Sequence, residues 1–406
     1  MQQTNTMYKI LSLDGGGTWA ILQLLTLRER YPGEKGHAIL RHFDLVIANS
    51  GGSLVLAALA EDWDLDKAIG LFRDKTQREQ IFSKNSFWER FFPVDYIRSI
   101  GPKYSAKRKG KAFKEIFTES NKRQMNELPA FIGKPSLKII VCTYDALNNR
   151  AKFFKSFGSG PGYDSVRLTQ AIHGSSNAPI QYFDFPARFK AKNSEIYYEL
   201  WDGALGGFNN PVAAGVIEAI KSGVPKSEIV VISLGTSNKL MSMDDKDTFY
   251  RIKQIAIRER HKKYLVWRIK YQTQFFMKSI YNQAKTILYE PPDWSNYVAY
   301  MHLHGESYHL GNPQQNLARF VRLSPLIHMA PDATPELLAL LQQLYKMDMN
   351  LTTDAEVDTV LQCFEQWKND RMLNQTIEFS VDRQNGIHTT IGHSRFSEGM
   401  AAWRGV

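Results

Sequence analysis

An apolar run, Phe43-Asp44-Leu45-Val46-Ile47-Ala48, breaks off into Asn49-Ser50-Gly51-Gly52-Ser53 and turns apolar again at Leu54. Few folds accept such a stretch. The first half is short, apolar and bounded by small residues, so it reads as a buried strand, and the second half reads as a helix through about residue 62. One tight bend is left between them, lined with the smallest residues available. It is either a plain turn, or a strained strand-to-helix bend that holds the Ser50 hydroxyl outward as a nucleophile.

The same punctuation recurs along the chain. Residues 8–13 (YKILSL) read as a strand, Asp14-Gly15-Gly16-Gly17 as a loop, and WAILQLLTLRERY as a helix that stops at Pro32. Further strands are expected at residues 137–143, 151–155, 195–200 and 228–234, with helices at about 165–175 and 211–221. Strands alternating with helices predict an α/β fold, a mostly parallel central sheet covered on both faces. Beyond about residue 240 the pattern turns helical, at 247–290, 335–347 and 353–369. The expectation is a core domain over 8–240 and a mainly helical C-terminal region, 241–406, packed on it.

Composition narrows the class. Hydrophobic residues make up 43% and charged residues 23%, ordinary for a globular chain. No apolar run approaches the ~18 residues of a spanning helix, and MQQTNTMYKILSL lacks the features of a secretory signal. Cys142 and Cys363 are the only cysteines, which excludes a disulfide framework or a four-cysteine metal site. A reducing cytoplasm is expected. The net charge of +10 favours an anionic partner such as a phospholipid surface or a nucleotide. It gathers in two basic clusters, residues 103–111 (KYSAKRKGK) and 251–270, which are solvated faces or anion sites.

Chemistry has three candidate places. In LDGGGT, residues 13–18, three glycines after a strand turn backbone N–H groups toward a ligand at a helix N-terminus. The second is the elbow, Ala48-Asn49-Ser50-Gly51-Gly52, one methyl group away from the G-x-S-x-G pattern, where the Gly51 N–H follows the candidate nucleophile. The third is WDGALGGFNNP, residues 201–211, where a strand delivers Asp202 at its carboxyl end and Gly203 and Ala204 turn the chain away.

Glycine loop, serine elbow and Asp-Gly-Ala, in that order on successive strand ends, resemble the patatin-like phospholipases over about residues 8–240. HGSSNAPIQYF (173–183) and VVISLGTS (230–237) add to the likeness. The resemblance implies a three-layer sandwich and a Ser–Asp dyad, with Ser50 as nucleophile and Asp202 as base. Gly15, Gly16, Gly17 and Gly51 would form the oxyanion hole, and Asp14, Ala48, Gly52, Gly203 and Ala204 complete the motifs. No metal and no cofactor is required for such chemistry. Preorganised donors in other oxyanion holes contribute roughly 3–4 kcal/mol each. Two departures stand out: Trp19 and Ala20 replace a basic residue and a glycine, and Ala48 replaces the first elbow glycine.

A peripheral enzyme at the inner face of the membrane is therefore expected, acting on phospholipid and not on a nucleic acid polymer. A narrower likeness, to phospholipase effectors switched on by cyclic oligonucleotides in antiphage defence, implies a cyclic di- or trinucleotide activator. The runner-up is an ATP-dependent sugar kinase or nucleotide-binding module built on DGGGT and SLGTS, which leaves the Ser50 elbow without a purpose. His302, His304 and His309 invite a metal reading, set below a surface or satisfied core role. The aromatic stretch SFWERFFP, residues 86–93, reads as core or as a membrane-docking lid.

Overall fold

The computed structural model describes residues 7–84, 102–158, 166–179, 182–192, 195–239, 293–304, 319–328, 333–382 and 387–406. The aromatic stretch at 86–93, the basic cluster at 251–270, the expected helix at 247–290 and His309 lie outside the described residues.

The apolar runs form the sheet they predict. β1 (Tyr8–Leu13), β2 (Leu45–Ala48) and β7 (Ile229–Leu234) are parallel neighbours, and β2 also pairs in parallel with β3 (Lys138–Asp145). Strands buried on both faces need no polar alternation. Leu11, Val46, Val141 and Ile232 bury on one face, whereas Ile10, Ile47, Ile140 and Val231 bury on the other. Each such side chain contributes roughly 1.5–3 kcal/mol of transfer free energy.

Helices cover both faces, giving three layers. On the first face lie α1 (Ile21–Arg30), α2 (Ser50–Ala60), α3 (Ala106–Ile116) and α4 (Leu168–Ser175). The second face is covered by α5 (Val212–Lys221) and α6 (Asp293–His304). From the C-terminal region, α7 (Pro335–Lys346), α8 (Asp354–Lys368) and α9 (Phe396–Arg404) join the first face through Leu344, Trp367 and Trp403.

Two features of the sheet set up the site. One strand comes from beyond residue 240: β8 (Phe320–Leu323) pairs in parallel with β7 and extends the sheet. The C-terminal region thus supplies sheet as well as helices. The other side of the sheet is antiparallel, with β4 (Arg150–Lys155) and β6 (Tyr197–Asp202) on β3, and β5 (Ala187–Lys190) on β6.

Here β3 acts as a ruler. β2 ends with Ala48 opposite Val141, while β6, running the other way, ends with Asp202 opposite Thr143. Two residues of strand separate those positions, roughly 7 Å. The ends of β2 and β6 therefore face each other, and whatever follows Ala48 meets Asp202.

Candidate active site

Ser50 opens α2 directly after β2, with Asn49 as its N-cap in an extended conformation. The bend forces Ser50 to φ 46°, a left-handed conformation that costs an L-residue roughly 1–2 kcal/mol. The surrounding glycines are needed because the backbones touch. A Cβ on Gly51 would stand 2.3 Å from the Gly17 carbonyl oxygen, and one on Gly52 would stand 2.5 Å from that of Leu13. Ala48, the departure from the elbow pattern, sits in the strand itself and is fully buried without strain at its φ.

Asp202 is buried, and its carboxylate is surrounded by donors. The Asn49 Nδ2 donates to Oδ1 at 3.0 Å and the Ala204 N–H at 2.9 Å, and the Ser50 hydroxyl is close enough to the same carboxylate to help lower its pKa. Burial raises the Asp202 pKa, opposed by these three donors and by the charge of Lys109. The sequence-predicted pair is thus brought together at the meeting of the two strand ends.

The HGSSNAP segment holds the back of the site. The Ser50 N–H donates to Ser175 Oγ at 2.9 Å, and the Asp202 N–H donates to the Asn177 carbonyl at 3.1 Å. Neither Ser175 nor Asn177 was singled out in the sequence by role, although the segment was.

The glycine loop is only in part what its sequence suggests. The Gly15 N–H donates to the Asn209 carbonyl at 2.7 Å, so this N–H is engaged within the fold and not open to an oxyanion, contrary to the expectation for Gly15. Its carbonyl accepts from Thr236 Oγ1 at 2.7 Å. That threonine belongs to SLGTS, so one glycine loop braces the other, and a Cβ on Gly16 would fall 2.0 Å from Thr236 Oγ1. By contrast, the N–H groups of Gly16, Gly17 and Gly51 have no hydrogen-bond partner among the described residues. Gly17 and Gly51 line a cavity with Ser50. Asp14 faces away and pairs with Arg322 of β8, Nη2 to Oδ2 at 2.6 Å, both side chains buried. Burial lifts the Asp14 pKa to about 6 even so, with the Arg322 charge pulling it down.

Lys109 was missed in the sequence, hidden in a basic run. The usable signal was its place on α3, since Ala106, Lys109 and Phe113 fall on one buried stripe. Its Nζ donates to the Ser176 carbonyl at 2.9 Å and the His173 carbonyl at 3.3 Å, and lies 3.8 Å from the Phe183 ring centre. Burial holds its pKa well below the usual lysine value, while Asp202 and Asp184 pull it back up. Next to it His173 is neutral, pushed down to about 3 by burial and by the Lys109 charge.

In front of Ser50 the space is nearly full. Ile81, Phe82, Tyr182, Phe183 and Met349 leave a cavity of about 20 Å³, room for roughly one water. Among the described residues no cluster of His, Cys, Asp or Glu is arranged to hold a metal ion, and His304 Nδ1 lies 3.1 Å from the Arg319 guanidinium. No described helix is long and apolar enough to cross a membrane.

The family of patatin-like phospholipases matches residues 11–216, just over half of the chain and all three motifs. The chain belongs to this family. As a patatin-like phospholipase it is a lipid acyl hydrolase by class, and the sugar-kinase alternative falls with that assignment. No curated protein matches the chain. Among solved structures it is similar to VipD from Legionella pneumophila, at 12% identity and a TM-score of 0.35, over 89% of this chain and 67% of that one. It is also similar to full-length ExoU of the Pseudomonas aeruginosa type III secretion system, solved with full-length SpcU, at 12% identity and a TM-score of 0.24, over 88% of each chain. Likeness this distant carries no argument. The patatin-like assignment rests on the family match over residues 11–216, and the three-layer sheet described above is consistent with it.

Proposed function

We propose that this patatin-like protein hydrolyses acyl esters of phospholipids through a Ser50–Asp202 dyad. The observation that carries the reading is the meeting of two strand ends. The Ser50 hydroxyl, on a left-handed backbone, stands against the Asp202 carboxylate while Gly17 and Gly51 line the cavity beside it. Ser50 Oγ attacks the ester carbonyl carbon and its proton passes to Asp202. The carbonyl π pair moves onto oxygen, and the collapse of that oxyanion expels the alcohol, which takes the proton back. Water repeats the sequence on the acyl-enzyme. The N–H groups of Gly16, Gly17 and Gly51 stabilise the oxyanion, aided by the N-terminal end of α2. Asp202 is an effective base because burial raises its pKa toward the working range, while Asn49, Ala204 and Lys109 keep it ionised.

The substrate is drawn from an anionic phospholipid surface by the basic balance of the chain, at the inner face of the membrane and without insertion. A cavity of about 20 Å³ does not admit an acyl chain, so entry requires the Phe82–Tyr104–Phe183 ring cluster to move. A cyclic di- or trinucleotide that displaces this wall is the activator we propose. A fluorophosphonate probe tests the dyad: labelling is expected in wild type and lost in Ser50→Ala, and labelling that persists in Ser50→Ala refutes it. Release of fatty acid from anionic vesicles, with and without a panel of cyclic nucleotides, tests the switch. Equal rates in every arm refute it.

A further inference from the structure

The connector between α7 and α8 runs over the glycine loop and is tied to it. The Thr18 N–H and hydroxyl both donate to the Met349 carbonyl, at 3.0 and 2.9 Å. The Leu351 N–H returns to Thr18 Oγ1 at 2.6 Å, and the Trp19 indole N–H donates to the Asp348 carbonyl at 2.9 Å. Asp348 is itself held by the Tyr182 hydroxyl at 2.6 Å and by Lys103 at 3.1 Å. Four hydrogen bonds from Asp348, Met349 and Leu351 to Thr18 and Trp19 fix this strap against the loop in one register.

The strap carries Asn350 into the cavity shared by Ser50, Gly17 and Gly51. Its Oδ1 lies 3.1 Å from the place a Cβ on Gly17 would occupy. Asn350 is 5% exposed, yet its Nδ2 has no hydrogen-bond partner among the described residues. An amide donor buried without an acceptor is unfavourable, and such a group calls for a water, an ion or a ligand to complete it. A molecule bound beside Ser50 in this cavity would supply the missing acceptor.

We propose that Asn350 is a catalytic residue of this site, an oxyanion donor delivered by the strap. The inference rests on the Ser50–Asp202 reading. As Ser50 Oγ bonds to the ester carbon and its proton moves to Asp202, the carbonyl oxygen gains the electron pair. It then accepts from Asn350 Nδ2 together with the Gly51 N–H. No charge is created beyond that exchanged between carboxylate and oxyanion. Asn350 Nδ2 supplies a side-chain donor that the engaged Gly15 N–H does not.

The test compares full-length Asn350→Ala, Asn350→Asp and Ser50→Ala with wild type. The fluorophosphonate labelling rate, kcat and KM on a p-nitrophenyl acyl ester, and the melting temperature are measured for each. So is the affinity for a long-chain trifluoromethyl ketone, whose Ser50 adduct bears an oxyanion, and for the matching alcohol, which forms none. Loss of one oxyanion donor lowers kcat by about 10²–10³-fold. Both Asn350 variants are expected to show that fall in labelling rate and ketone affinity, with KM and alcohol affinity within three-fold and an unchanged melting temperature. Labelling as fast as wild type overturns the assignment, as does a loss that tracks alcohol affinity or melting temperature. Labelling that survives Ser50→Ala instead removes the dyad beneath it.

Discussion

Replacing Asn49 by alanine isolates one of the donors that hold the Asp202 pKa down against burial. Asn49 is fully buried, and its Nδ2 gives the carboxylate one hydrogen bond of 3.0 Å. Its Oδ1 has only a long contact, 3.4 Å, from Ser175 Oγ, so the loss on that side is small. A hydrogen bond to a charged group contributes about 1.5–3 kcal/mol. At roughly 1.4 kcal/mol per factor of ten, its removal lowers the carboxyl ionisation constant by roughly 10- to 100-fold. The sign follows: Asp202, already raised by burial, rises further and is protonated over a wider acidic range. The acidic limb of kcat/KM should therefore move to higher pH in Asn49→Ala. Below the limb the rate falls by that same factor, and at the alkaline end it returns to within a few-fold of wild type. The assay is p-nitrophenyl ester hydrolysis from pH 5 to 9. A deficit equal at every pH, or a limb that moves to lower pH, would refute the reasoning and leave Asn49 a merely structural cap.

Arg322→Met should cost about 3–5 kcal/mol in urea unfolding, because it strands the buried Asp14 carboxylate, and adding Asp14→Asn should restore part of that loss. Gly51→Ala should slow fluorophosphonate labelling by at least about 100-fold, since its methyl group would push the Gly17 carbonyl off the site, a loss on the scale of one oxyanion donor. The control, Gly70→Ala, has open space around the added methyl and should gain up to about 1 kcal/mol of stability. His173 is a base whose folded pKa, about 3, lies below its ordinary 6.5, so its contribution is full above pH 6.5 and is lost as pH falls toward 3. Melting temperatures at pH 7.5 and 5.0 should fall further apart in wild type than in His173→Gln, and equal gaps would count against a neutral buried imidazole.

What could be read in the sequence was local. β1, β2, β6 and β7 announce themselves as apolar runs ending on small residues or Asp-Gly, and at those punctuation points Ser50, Asp202 and Gly51 sit. What could not be read depends on partners far away in the chain. Phe320–Leu323 is only four residues long, with an arginine in its middle, and nothing nearby shows that Asp14 neutralises that charge. Gly15 looks like its neighbours in LDGGGT, and only the fold puts the Asn209 carbonyl over its N–H. Lys109 disappears in KRKGK until α3 is seen to turn it inward. Asn350, in MDMNL, belongs to no motif at all, and its placement comes from Thr18 and Trp19 gripping the main chain beside it.

The pairing of β8 with β7, and of its arginine with Asp14, bears on how this protein can be dissected. A fragment cut where the family match stops, at residue 216, would carry all three motifs yet lack both of those strands. Its innermost strand, β1, would become a raw sheet edge, and the aspartate that opens the glycine loop would face no counter-ion. Such a piece holds every residue of the signature and too little of the architecture to keep them in place. Autonomy here belongs to the longer polypeptide, and grafting the signature alone into another scaffold would transplant letters without their grammar.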